Sequence, residues 1–147
     1  MVSLCLVLGI PAVSYALCDV SLSTLNFGGY DTLTNSPSDS VGTISYFCSQ
    51  SVPMLTIAID RGRGGAGPVR QLGKAGGAGN SILSYNIYLD PGRSRVWGDG
   101  TQGSQVLSIP NPAVGRRIDI PVYGHIAGGQ NVAAGSYNDS LSVTISY

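Results

Sequence analysis

The side chains able to do chemistry are few, and none is arranged for it. One histidine, His125, stands alone in a chain of 147 residues. A Ser–His–Asp arrangement would need a nucleophile elbow, and no Gly-x-Ser-x-Gly is present. His125 therefore reads as a surface or packing residue. Multi-histidine zinc sites are excluded by the count alone. The acids Asp90, Asp99, Asp119 and Asp139 lack the spaced set and terminal Glu of a calcium loop. The expectation is no enzyme, no metal and no cofactor.

Two glycine-rich patterns need the same test. Gly62 to Gly67 satisfies Gly-x-Gly-x-x-Gly and follows an expected strand, but a dinucleotide site needs a helix to open there. Pro68, Gly73, Gly76, Gly77 and Gly79 forbid that helix. Gly73-Lys74 carries Ala75 where a phosphate loop needs a hydroxyl. What remains is a long loop over 61–79 whose cations Arg61, Arg63, Arg70 and Lys74 have no acid among them. Those four make a possible surface-binding loop for anionic polymers, or a simply solvated one.

The elements that must hold these residues are strands. The chain has 21 Gly and 8 Pro, which break helices and suit tight turns. All eight acids are Asp, a turn former, and none is Glu. Charged residues are 11% and hydrophobic ones 43%, enough apolar mass for a core. The formal net charge is zero, so nothing draws the chain to nucleic acid. Period-two runs predict strands over 18–22, 41–48, 54–60, 82–89, 105–109, 117–123 and 136–147, with a short segment at 25–27. About seven short strands with turn signals predict a single all-β sandwich.

Residues 1–16, MVSLCLVLGIPAVSYA, are apolar and end in Ser14-Tyr15-Ala16, the pattern of a secretory signal peptide without its usual leading cation. Residues 17–147 then form the mature domain. The run is too short to insert as a transmembrane helix. Cleavage after Ala16 removes Cys5 and leaves Cys18 and Cys48, an even pair that most simply forms a disulfide in an exported chain. In the last run Leu141, Val143, Ile145 and Tyr147 alternate with Ser142, Thr144 and Ser146. That is one apolar and one hydroxylated face. Pattern alone fits either the core of a complete sandwich or an open groove.

Several blocks occur in an informative order. They are the opening Cys18 with Leu25-Asn26-Phe27-Gly28, then 83–90 (LSYNIYLD), Trp97-Gly98-Asp99-Gly100-Thr101, Pro121-Val122-Tyr123-Gly124, Gly135-Ser136-Tyr137-Asn138-Asp139 and Val143-Thr144-Ile145-Ser146-Tyr147. Together, over 18–147, they resemble the spore coat protein U domain family, which includes subunits of archaic, Csu-type chaperone–usher pili. The resemblance implies an incomplete immunoglobulin-like β-sandwich that lacks its last strand. It implies a strand-acceptor groove beside Leu141, Val143, Ile145 and Tyr147. The implied partners are a periplasmic chaperone, an outer-membrane usher and the donor strand of a neighbouring subunit. Localisation would be the periplasm in transit, then a surface fibre used in adhesion. Cleavage after Ala16 leaves only Leu17 before Cys18, so such a subunit would accept a strand and donate none, which fits the fibre tip. A stand-alone secreted coat or lectin-like binding protein is the alternative.

Overall fold

The computed structural model describes residues 17–63, 67–77 and 82–147. The expected signal peptide, Cys5 and the two tips of the glycine-rich stretch lie outside them. Among the described residues nine strands run in the order β1 (Cys18–Leu22), β2 (Ser38–Cys48), β3 (Met54–Ile59), β4 (Arg70–Lys74), β5 (Ile82–Tyr88), β6 (Leu107–Pro110), β7 (Arg117–Ile126), β8 (Tyr137–Asn138) and β9 (Val143–Ser146). They form a six-stranded sheet ordered β1-β2-β7-β5-β4-β8 and a three-stranded sheet ordered β6-β3-β9. Every strand pair is antiparallel. Among the described residues there is no helix, and so none long and apolar enough to cross a membrane.

Alternation decides which side chains enter the core. In β2, Ile44, Tyr46 and Cys48 are buried while Thr43, Ser45 and Phe47 on the other face are not. The same rule buries Leu55, Ile57 and Ile59 of β3, and Val122 and Ile126 of β7. Cys18 and Cys48 are directly opposed in the β1–β2 ladder and form the disulfide, closing a separation of 30 residues. Constraining a loop of that size stabilises the fold by about 3–4 kcal/mol in the chain-entropy account.

Two segments depart from the pattern read in the sequence. Residues 61–79 are not one loop. Arg70–Lys74 pairs with β5 as strand β4, because Leu72 sits opposite Leu83 and both are buried. The Gly-rich flanks conceal a strand whose own pattern is short. The expected single strand over 136–147 is two. β8 pairs with β4 and β9 with β3, so the chain changes sheets across residues 139–142. That crossing is clipped by side chains. Asp60 Oδ1 accepts from the Ser142 amide at 3.0 Å, and Asp139 Oδ1 accepts from the Arg63 amide at 2.9 Å.

The guanidinium of Arg70, only 2% exposed, ties the two sheets together. Its Nε and Nη2 donate to the Asp60 carbonyl at 3.1 and 2.9 Å, Nη2 to the Trp97 carbonyl at 2.8 Å, and Nη1 to Asn86 Oδ1 at 2.9 Å. Fully buried Trp97 donates through Nε1 to the Ile57 carbonyl of β3 at 3.0 Å, and its amide donates to Ile87 of β5 at 2.9 Å. Burial lowers the Arg70 pKa, and nearby acidic side chains, Asp139 and Asp60 among them, oppose that shift. Arg70 is thus a strut of the core, and the expected surface-binding set loses its centre. Replacing it with Met should orphan two carbonyls and Asn86, costing about 3 kcal/mol or more. Arg61→Ala on the surface should cost under about 0.5 kcal/mol. Urea denaturation of both variants checks this, and equal midpoints would contradict it.

Candidate functional site

A cleft of about 1220 Å³ opens between the sheets. Drug-sized ligands occupy roughly 300–1,000 Å³, so this space exceeds a small-molecule pocket and matches a stretch of polypeptide better. Its floor is the inner face of the six-stranded sheet: Leu72, Leu83, Tyr85, Ile87 and Ile126. One wall is the irregular segment 22–33 after β1, and the other is 132–143, running into β9.

The first wall is seated by two missing side chains. Gly42 of β2 and Gly124 of β7 fall on the inner face. A Cβ at Gly42 would lie 3.0 Å from Leu25, and one at Gly124 would lie 2.7 Å from Phe27. Leu25 and Phe27 therefore rest directly on the sheet backbone, in notches no other residue would leave. Phe27 also meets Tyr85 edge-on, with centroids 5.9 Å apart. The short segment read at 25–27 is not a strand. The segment packs on the sheet face instead of joining it.

The second wall contains the residues singled out for a groove. Leu141 is half-buried against the core, and both Leu141 and Val143 line the cleft. Within β9, Val143 is opposite Ile59 and Ile145 is opposite Ile57. Opposed residues share a face, so Val143 and Ile145 project toward the same interior that buries Ile57 and Ile59. Yet Ile57 and Ile59 are at most 1% exposed, whereas Val143 and Ile145 remain 38% and 36% exposed. The difference has one cause: β3 has a strand on each side, while β9 is the last strand of its sheet. Tyr147 is 47% exposed, and its hydroxyl accepts from the Leu17 amide at 3.1 Å.

Of the four cations of 61–79, only Arg63 and Lys74 come together, lining a small hollow over β4 with Gln71 and Gly73. Arg63 is exposed and lies over Gly73, Lys74 lies against Gly135, and Arg61 reaches Thr101 at 3.4 Å. Arg70 is buried as described. His125 joins Asp39 and Arg93 on the outer face, with Nδ1 2.5 Å from Asp39 and an Arg93–Asp39 ion pair at 3.3 Å. Among the described residues no group of three or more His, Cys, Asp or Glu is placed to hold a metal.

Sequence reasoning weighed Asp139 as a calcium ligand and placed Tyr85 in a matching block, but did not pair them. Tyr85 is buried in the cleft floor and donates to Asp139 Oδ2 at 2.7 Å. The alternation of Tyr85 with Leu83 and Ile87 carried an apolar signal only, and nothing in the pattern pointed to Asp139. Burial, reinforced by that hydrogen bond and the Asp139 charge, pushes the Tyr85 phenol well above the usual tyrosine range.

Fold and cleft together define an immunoglobulin-like, all-β domain with an open sheet edge. The chain belongs to the Spore Coat Protein U domain family, whose sequence profile matches residues 5–144. It is similar to Protein U of Myxococcus xanthus, with 33% identity over 137 residues, covering 84% of this chain and 72% of that protein. It is also similar to a chain of the CsuC–CsuE chaperone-tip adhesion subunit pre-assembly complex from archaic chaperone-usher Csu pili of Acinetobacter baumannii. The TM-score is 0.59 at 20% identity, over 89% of this chain and 40% of that one. This chain thus spans less than half of that solved chain, and the likeness is one of fold.

The Tyr85 environment predicts a specific alkaline weakness. Above about pH 10 the unfolded phenol ionises while the folded one keeps its proton, so unfolding releases a proton and stability falls as pH rises. The contribution is about 1.4 kcal/mol per pH unit. In Tyr85→Phe the decline between pH 10 and 12 should be shallower by that amount, read from urea midpoints. Identical slopes would contradict it.

Proposed function

We propose that this chain is a structural subunit of a bacterial surface fibre built by a chaperone and an usher. In this reading the cleft beside β9 accepts an extended strand from another protein. The observation that carries it is the β9 edge, unpaired among the described residues. Val143 and Ile145, aimed into the interior, stay more than a third exposed, and Val143 lines a cleft large enough for a peptide. A strand laid there would bond to the free backbone groups of β9 and place alternate side chains against Leu141 and Val143. Membership of the Spore Coat Protein U domain family and the fold shared with the chaperone-tip adhesion complex support the reading.

The energetics are modest per residue. A fully buried aliphatic side chain gains about 1.5–3 kcal/mol, so covering the last third of Val143 and Ile145 adds about 0.5–1 kcal/mol each. The larger gain comes from the incoming strand's own apolar side chains, which would leave water for the cleft floor. A free apolar edge also promotes aggregation, which gives a periplasmic partner a reason to cover it during export. Passage through the periplasm to the cell surface follows from that role. Position within the fibre depends on the residues ahead of Cys18 in the mature protein, which N-terminal sequencing of the secreted form would read.

Periplasmic co-expression with a chaperone from the same source tests the proposal. A stable one-to-one complex is expected. The double variant Val143→Asp, Ile145→Asp should fold to a similar urea midpoint, within about 1 kcal/mol, because both side chains are already partly solvated. It should fail to co-purify. A monomer that folds well alone, binds no chaperone and resists aggregation would overturn the proposal.

A further inference from the structure

We infer that the strand accepted by the cleft carries basic side chains, selected by Asp31 and Asp139. This rests on the strand-acceptor reading above and adds the chemistry of the occupant. The chain as a whole is neutral, with eight acids and eight bases. Among the described residues lining the cleft, however, two are acids, Asp31 and Asp139, and none is a base. The two acids stand on opposite walls, Asp31 in 22–33 and Asp139 in 132–143.

The Arg70 guanidinium attracts Asp139 from behind the wall and offsets part of its charge, but no cation lines the cleft itself. The Arg70 guanidinium is spent on Asp60, Asn86 and Trp97 oxygens and is not part of the lining. Arg63 meets Asp139 through its backbone amide, and Lys74 lies against Gly135. The only ion pairs among the described residues involve Asp39, on the outer face. Asp31 and Asp139 are held by neutral donors instead. The Leu33 amide reaches Asp31 Oδ1 at 2.8 Å, while the Arg63 and Ser140 amides and the Tyr85 hydroxyl reach Asp139 at 2.9, 2.9 and 2.7 Å. Those bonds fix the carboxylates at the cleft and leave their charge in place.

An apolar strand with acidic residues would meet repulsion from both walls. One with Lys or Arg on its solvent-facing positions would meet attraction from both. The floor demands alternate apolar residues, and the walls demand positive charge between them. Charge of this kind fixes register and rejects wrong partners more than it adds bulk affinity. The occupant is therefore an alternating apolar and basic segment, as distinct from a purely apolar one.

Three synthetic strands test this: alternating Val and Ser, the same with two Ser replaced by Lys, and the same with two replaced by Glu. Binding to the full chain is measured by fluorescence anisotropy of the labelled peptides. At low salt the Lys strand should bind about tenfold tighter than the neutral one, from two partly exposed ion pairs, and the Glu strand should bind more weakly. In about 0.5 M salt the ranking should collapse. The double variant Asp31→Asn, Asp139→Asn keeps acceptors for the same backbone amides. It should lose the Lys preference, read as the ratio of Lys-strand to neutral-strand affinity within the same variant. Equal affinity for all three peptides, or a Lys preference that survives in the double variant, overturns the charge inference and leaves the acceptor reading standing. Failure of every peptide to bind counts against the acceptor reading itself.

Discussion

A β-sheet that ends on an apolar strand must find a partner for it, and the structure turns on that requirement. Among the described residues, β9 is held on one side by β3 and pairs with no strand on the other. Its interior-facing Val143 and Ile145 cannot be buried by β3 alone, since covering them needs atoms beyond the edge. Natural sheets blunt such edges with charge, proline or a covering loop. β9 carries only Thr144 and Ser146 between its apolar residues, so the edge stays open to pairing.

The rest of the domain makes that opening tolerable. The sheets are fastened through Arg70 and Trp97, whose hydrogen bonds reach β3 and β5 together, so the sandwich does not depend on the cleft side for its alignment. A buried arginine is costly, and it is retained here with its contacts satisfied by two carbonyls and an amide oxygen. On the cleft side, Leu25 and Phe27 sink into the glycine notches of β2 and β7 and cover part of the floor. Clips from Asp60 and Asp139 fix where the chain leaves one sheet and enters the other.

Much of the fold was legible in the sequence, because alternation reports directly on which face is buried. β1 falls on its predicted span, and β2, β3, β5, β6 and β7 overlap theirs. The disulfide followed from parity and is seen between Cys18 and Cys48. What escaped had physical reasons. β4 is a short strand between glycine runs, and its Arg70 looked like a surface cation because sequence does not show that three oxygens converge on it. The strand over 136–147 looked continuous because the sheet change at Asp139 depends on contacts with Asp60 and Arg63, some eighty residues away in the chain. The acidity of the cleft was invisible for the same reason: Asp31 and Asp139 become neighbours of one space only after folding.

The central claim is that a foreign strand lies along β9. Amide hydrogen exchange over 22–33 and 143–147, in the free chain and in complex with its chaperone, tests it most directly. The account predicts rapid exchange at the outward-facing β9 amides when free and strong protection there once the partner is bound. Protection that is already complete in the free chain, or that appears elsewhere and leaves β9 unchanged, would contradict it.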